Sequence, residues 1–282
     1  MLERDKSTES QVSAVVISHN RAMEAKAAVE SLLHQTVKPL EVIFIDNASN
    51  PPLVLKTESS GVLRQIRFNE FVGASIARNT AIGIAKGAYI AFIDDDCIAT
   101  SSWLEEIQKG IDTKYEILGG PIEPKFMATP PEWWKSGTFF WGVGVGNAWS
   151  KEIWGGNMIF KKEVFEKIGL FNSKIGRQNG KLLGYEETEL INKGIACCRT
   201  KFMPEAKVFH RVTSARMTIG YIIRWSYYWG KTEKAVHGFK PLDTTIEIVI
   251  AMIMNLNPYR IATKCNRIKR MAWMTQLFGR LF

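Results

Sequence analysis

Tyr89-Ile90-Ala91-Phe92-Ile93-Asp94-Asp95-Asp96 is an apolar and aromatic run that ends abruptly in three carboxylates. A run of this length rich in Ile and aromatics reads as a buried strand, and the switch to Asp marks where the chain leaves the sheet. The acids therefore belong at the strand's carboxyl end. Just beyond, Ser102 with Glu105 three residues on is a capping-box pattern ahead of Leu104 and Ile107, which predicts a helix from about Ser102. Two like charges about 4 Å apart repel by roughly 4 kcal/mol at a surface-like effective dielectric, so the cluster is costly unless a cation is shared among the acids. Oxygen ligands suit Mg2+ or Mn2+, which complete their shells with water and substrate phosphate. A solvated acidic turn is the alternative reading of the bare triplet, and its position in the fold must decide.

Working back toward the start, Val12 to Ser18 reads as a first strand, and Asn20 as the cap of a helix running to about Leu33. Leu40 to Ile45 is a second strand ending at Asp46, and Val62 to Phe68 a third. A helix of small residues from Gly73 to Lys86 leads into the central strand. Strands alternating with helices imply right-handed crossovers, hence an α/β, Rossmann-like, mainly parallel sheet with helices on both faces. Ligands of such sheets lie outside the carboxyl ends of the strands. Here His19-Asn20, Asp46-Asn47 and Asp94-Asp95-Asp96 converge on that edge. Arg78, early in the helix entering the central strand, is placed to meet an anion there; an exposed helix arginine is the plainer alternative.

Beyond Lys109 the pattern loosens. Residues 119–156 carry Pro130-Pro131, Trp133, Trp134 and Trp141, and Gly142, Gly144 and Gly146, which suits an aromatic-lined loop layer. Aromatic faces serve as sugar platforms and equally as core. Trp154 to Phe160 reads as a turn into a strand, followed by a short helix closed by Gly169. Gly184-Tyr185-Glu186-Glu187-Thr188-Glu189 is a second acidic cluster at a loop-to-helix junction, where carboxylates also simply complement the helix dipole. Strand-like segments around Pro204 end near His210.

The chain has 282 residues, 46% of them hydrophobic, which suffices for a substantial core and excludes a disordered or fibrous class. Its four cysteines have no metal-site spacing, and Cys197 and Cys198 on a strand would face opposite ways, so a reducing compartment without disulfides is expected. Met1 to Gln11 does not read as a signal peptide, and the longest apolar stretch, Ile246 to Leu256, is short for a bilayer span and contains Glu247. The net charge of +9 is concentrated at the end: residues 201–282 hold 14 Lys or Arg against 4 Asp or Glu. An anionic partner of the tail is implied.

With these pieces in order, residues 11–235 resemble the inverting, GT-A-fold bacterial glycosyltransferases of family 2. Val15-Val16-Ile17-Ser18-His19-Asn20-Arg21 looks like the family's opening strand and loop, Ile45-Asp46-Asn47-Ala48-Ser49 its second-strand motif, and Ala77-Arg78-Asn79 with Phe92 to Asp96 the stretch that ends in the metal-binding Asp-x-Asp. The resemblance implies donor contacts at Ser18, Asn20, Asp46, Arg78, Asp94 and Asp95, and a Mn2+ or Mg2+ site at Asp94, Asp96 and His210. It implies an acceptor-side turn at Gly156 and Asn157, with Trp133 and Trp134 nearby. Glu187 stands where the family's catalytic Asp is usual and is favoured as base, with Glu186 the other candidate. Asn47 replaces a common second Asp, which leaves the base open, with UDP favoured.

The implied activity is metal-dependent, inverting transfer of a sugar from a nucleoside diphosphate sugar to a saccharide or lipid-linked saccharide acceptor in cell-surface polysaccharide synthesis. The alternative is a catalytically degenerate GT-A scaffold that binds saccharides or assembles other proteins. The expected organisation is a donor-binding half at 11–118, an acceptor-binding and catalytic half at 119–215, and a basic, aromatic helical extension at 216–282. In that extension Tyr221, Ile222, Trp225, Tyr228 and Trp229 recur at helical spacing, and Lys264, Arg267, Lys269 and Arg270 precede an aromatic, aliphatic end. Such a pattern at 259–282 suits an anionic membrane surface, here the cytoplasmic face of the inner membrane for an otherwise cytoplasmic enzyme. Packing on the enzyme or on a second copy, as a homo-oligomer, is the alternative. No nucleic-acid module is present, so no nucleic-acid partner is expected.

Overall fold

The computed structural model describes residues 10–56, 61–134, 144–147, 150–177, 182–237 and 273–280. It divides into two units. The first comprises Met1–Lys125, Gly144–Ser173 and Glu187–Arg211, the second Phe126–Val143, Lys174–Glu186 and Val212–Phe282. Residues 119–215 thus contribute to both.

The first unit holds a seven-stranded sheet in the order β3-β2-β1-β4-β8-β6-β9. Its strands are β1 (Val12–Ser18), β2 (Glu41–Asn47), β3 (Leu63–Phe68), β4 (Tyr89–Asp94), β6 (Ile117–Gly119), β8 (Asn157–Lys161) and β9 (Thr200–Phe202). β1 pairs in parallel with both β2 and β4, so that Ser18 lies opposite Asp46 and Ile17 opposite Asp94. The polar strand ends converge on one edge as the alternation requires. β8 inserts between β4 and β6 antiparallel to both, with Asn157 opposite Ile93. That direction sets the Gly155-Gly156 turn beside Asp94.

Helices α1 (Ala22–Leu33) and α2 (Ala74–Ile84) both pack on β1 and β2. Val15, Ile43, Ile45, Ile90, Phe92, Met158 and Phe160 form one buried cluster with Ala77 and Ala81 of α2. Ala14 and Val16, buried as well, point to the other side by strand alternation. Full burial of such side chains stabilises by about 1.5–3 kcal/mol each, the main force holding the sheet between its helices.

Several local expectations are corrected. Asn20 does not cap α1. Arg21 occupies that position without a capping side-chain bond, while Asn20, at φ +58°, donates its N–H to Ser49 Oγ and accepts the Asn50 N–H. Asn20 thereby ties the β1 loop to the β2 loop. α3 (Trp103–Asp112) follows Ser102, but no capping box forms, because Glu105 instead accepts from Thr36 Oγ1 at 3.1 Å. Between the acids and α3 the chain inserts a short strand, β5 (Cys97–Ala99), which joins β10 (Val208–Val212) and β7 (Ile122–Phe126) in a second sheet. His210 is therefore inside a strand. Cys197 and Cys198 lie in the turn after α5 (Glu186–Ile195), with sulfurs 3.5 Å apart rather than on opposite faces. Burial, then the neighbouring Cys197, push the Cys198 thiol up to about 11.

In the second unit α6 (Ile219–His237) is the helix expected from the aromatic spacing, with Trp225 and Trp229 stacked at 5.0 Å. Helical residues 273–280 pack against it. Glu233 accepts from Gln276 and Arg280 at 3.0 and 2.7 Å, and Leu277 is buried. The backbones meet where Gly230 faces Gly279: a Cβ on Gly230 would lie 1.9 Å from the Gln276 carbonyl oxygen. Protein packing thus accounts for this part of the tail. Ile246 to Leu256 and the basic residues Lys264 to Arg270 lie outside the described residues, as do Met1 to Glu9, Trp141 and Gly142. Among the described residues no helix is long and apolar enough to cross a membrane.

Candidate active site

The acids sit where β4 gives way to β5. Asp94 is the last residue of β4, and Asp95 and Asp96 form the turn. β5 pairs antiparallel with β10, His210 opposite Cys97, and the Arg211 N–H donates to the Asp96 carbonyl at 2.8 Å. This pairing brings two residues more than 110 positions apart in sequence together: His210 Nε2 lies 3.1 Å from Asp96 Oδ1. Both are buried.

Arg21, to which the sequence alone assigns no role, enters the same cluster. Its Nη1 donates to Asp95 Oδ1 and to Asp96 Oδ2, both at 2.9 Å. Ser18 Oγ donates to the other oxygen of Asp95 at 2.7 Å, so Ser18 holds an acid in place rather than facing outward. Burial, reinforced by the charge of Asp96, pushes Asp95 up to about 6 against the pull of Arg21. Asp94 is raised as well, by desolvation in the cleft before anything else, with Asp96 and Glu187 adding to it and Arg78 opposing. The Arg21 guanidinium is opposed by its own burial but held firmly charged by Asp95 and Asp96.

Arg78 bridges the acids to the candidate base. Its side chain is 7% exposed and lies over the Phe171 ring, 3.0 Å from Glu187 Oε1 and 3.6 Å from Asp94 Oδ1. Glu187 reaches this point because residue 155 is glycine: a Cβ there would sit 2.5 Å from Glu187 Oε1. Gly156 borders the same spot, its would-be Cβ 3.3 Å from Asp94 Oδ2. The resemblance marks Gly155-Gly156-Asn157 as a turn, but not that Gly155 makes room for Glu187. Glu186 differs from Glu187. It is buried, packed close to Gly176 at φ +98°.

Other expected contacts turn inward. Asp46 is buried, accepting N–H groups of Ser49 and Leu53 at 2.9 and 3.0 Å and a bond from Arg67. Although desolvation works the other way, these donors, Ser49 foremost, hold its carboxyl below the usual range. In this conformation Asp46 anchors its loop. Asn157 is a strut and not an acceptor contact: it accepts from Trp103 Nε1 at 3.0 Å and donates to the Pro121 and Ala206 carbonyls at 3.2 and 2.8 Å. Trp134 is fully buried, edge-on to Trp133, so its ring has no open face on which a sugar could stack; Trp133 is half-buried.

The donor set fits a hard divalent ion. Among Asp94, Asp95, Asp96, Glu187, Arg21 and Arg78, full ionisation leaves two negative charges in excess, the charge of one such cation. Ligand atoms of Asp96, Cys97 and His210 lie within 4.8 Å of one another. The carboxylate oxygens suit Mn2+ and Mg2+, and the His210 imidazole favours the transition metal of the two, Mn2+.

A family model described as glycosyl transferase family 2 matches residues 13–169. A glucosyl-dolichyl phosphate glucuronosyltransferase of Haloferax volcanii is 25% identical over 245 residues, 80% of this chain and 77% of that one. An Escherichia coli UDP-Glc:alpha-D-GlcNAc-diphosphoundecaprenol beta-1,3-glucosyltransferase is 40% identical over 88 residues, 30% of this chain and 35% of the relative. Among solved structures, a mannosyltransferase from Pyrobaculum calidifontis in complex with GDP-Man and Mn2+ superposes with a TM-score of 0.63 at 15% identity, covering 99% of this chain and 89% of that one. The fold is the GT-A fold.

Proposed function

This chain belongs to glycosyltransferase family 2 and is a glycosyltransferase, and from that premise we propose that it moves a sugar, with inversion, from a nucleoside diphosphate sugar to a lipid-linked saccharide. The observation that carries the reading is the Asp94–Arg78–Glu187 connection, which couples a diphosphate-facing acid cluster to a carboxylate able to act as base.

Glu187 takes the proton of the acceptor hydroxyl as that oxygen attacks C1. The C1–O bond to the diphosphate breaks on the opposite face, and the diphosphate departs with the electron pair. One displacement inverts the anomeric centre. Arg78, fixed over Phe171, orients Glu187 and offers its charge to the diphosphate. Asp94, Asp96 and His210 would hold Mn2+ or Mg2+, which supplies positive charge to the leaving group. A lipid-linked acceptor is supported by the names of the two relatives, each of which includes a lipid-borne sugar. UDP is favoured from the second of them. A lipid acceptor would bring the enzyme to a membrane, where Lys264, Arg267, Lys269 and Arg270 suit anionic headgroups.

The test is thermal stabilisation by UDP-, GDP-, dTDP- and CMP-sugars, each with and without Mn2+. A donor at 100 times its dissociation constant adds about 2.7 kcal/mol to the folded state. A Mn2+-dependent shift with one nucleotide class is expected; no shift with any would overturn the donor site.

A further inference from the structure

Both oxygens of Asp96 are engaged: Oδ1 by His210 at 3.1 Å and Oδ2 by Arg21 at 2.9 Å. Each oxygen has more than one lone pair, but a divalent ion there would crowd both partners and be repelled by the guanidinium, so it gains most from Asp96 when one of them gives way. His210 belongs to the ligand set and is 5% exposed on a strand held in a sheet, so it is poorly placed to leave. Arg21 differs on each count. It precedes α1, its backbone is fixed by its carbonyl accepting the Ala25 N–H, and its side chain is 37% exposed with water on one side. One nitrogen, Nη1, serves both Asp95 and Asp96, standing between two carboxylates as a shared cation would. Arg78 makes the contrast: at 7% exposure and against Phe171 it is fixed in place.

We propose that Arg21 is a built-in counter-ion of the acid cluster, which keeps divalent-ion affinity low in the ligand-free enzyme and yields to the ion only when a nucleoside diphosphate accepts its guanidinium. This rests on the donor site proposed above. The phosphate oxygens are the natural destination, since a guanidinium makes the same bidentate, charge-assisted bonds to phosphate as to carboxylate. The ion and the nucleotide then bind with positive coupling, each raising the other's affinity by the same factor. The acids are spared mutual repulsion between turnovers, and a metal ion without a donor gains little hold.

Mn2+ binding, read from the electron paramagnetic resonance signal of the free ion, tests this without any turnover. Wild type, Arg21→Gln and Arg21→Lys are titrated with Mn2+ alone and with saturating UDP or GDP, after circular dichroism confirms that each is folded. Removing one positive charge from within a few Å of the ion should tighten binding of Mn2+ alone by about tenfold in Arg21→Gln. The gain from nucleotide should shrink by a similar factor in that variant, while Arg21→Lys, which keeps the charge, stays near wild type. Equal or weaker binding of Mn2+ alone by Arg21→Gln would overturn the proposal and make Arg21 a structural prop. If wild type binds Mn2+ with a nucleotide but shows no coupling between them, the counter-ion role fails while the donor site stands. If no protein binds Mn2+ with either nucleotide, the donor site itself fails, and the proposal with it.

Discussion

Glu187 and Asp46 are both acids near the carboxyl ends of the strands, but Glu187 pairs with Arg78 while Asp46 is held by its own loop. Glu187→Gln keeps a hydrogen-bonding oxygen for Arg78 but cannot take a proton. Turnover should fall by about 10²–10⁴-fold, while the thermal shift produced by donor stays unchanged; loss of that shift would remove Glu187 from the base role. Asp46 is held ionised by its own loop, so its folded pKa lies below the unfolded value. Its stabilisation is complete above about pH 4 and is lost as pH falls through the lowered value. The melting-temperature gap between wild type and Asp46→Asn should accordingly be widest near neutral pH and close on acidification. A gap independent of pH would mean that the charge is not what holds the loop. The acid triplet was legible because three carboxylates at the end of an apolar strand repel one another unless a cation is shared among them. The inward turn of Ser18, Asp46 and Asn157 was not, because a sequence locates a polar side chain on an element without naming its hydrogen-bond partner. Arg21 was hidden for the same reason: its partners are some 75 residues away.

At the scale of elements, the turn into β8 and the α6 crossing each depend on an absent side chain. Gly155→Ala would place a methyl 2.5 Å from Glu187 Oε1 and push the carboxylate off Arg78. Misplacement of about 1 Å costs on the order of 10²-fold in rate, so activity should collapse with the melting temperature nearly kept. Full activity would show that Glu187 works from another position. Gly230→Leu would drive the 273–280 helix from α6, and limited proteolysis should then cut near Trp273 far sooner than in wild type. The long strands and α1, α2 and α6 were readable from periodicity. β5 was not, since three residues carry no period, and neither was the antiparallel direction of β8, because alternation reads the same from either end.

For the molecule as a whole, the parallel core and its ligand edge followed from strand and helix alternation, whereas the division at Lys125 and Ser173 did not. Contacts between distant segments set that division, and no local composition change marks it. The late place of β8 in the chain also has a consequence in time. On the ribosome β1 to β4 emerge first and can pair at once, but β4 must wait for residues 157–161 before its second edge is covered. At about 5–20 residues per second that edge stays open for some seconds. A chain halted before Asn157 should therefore pellet, or leave the ribosome bound to a chaperone, while one carried past Ile168 stays in solution. The open side of β4 is thus closed by the same strand that positions Gly155 and Gly156 beside the acids.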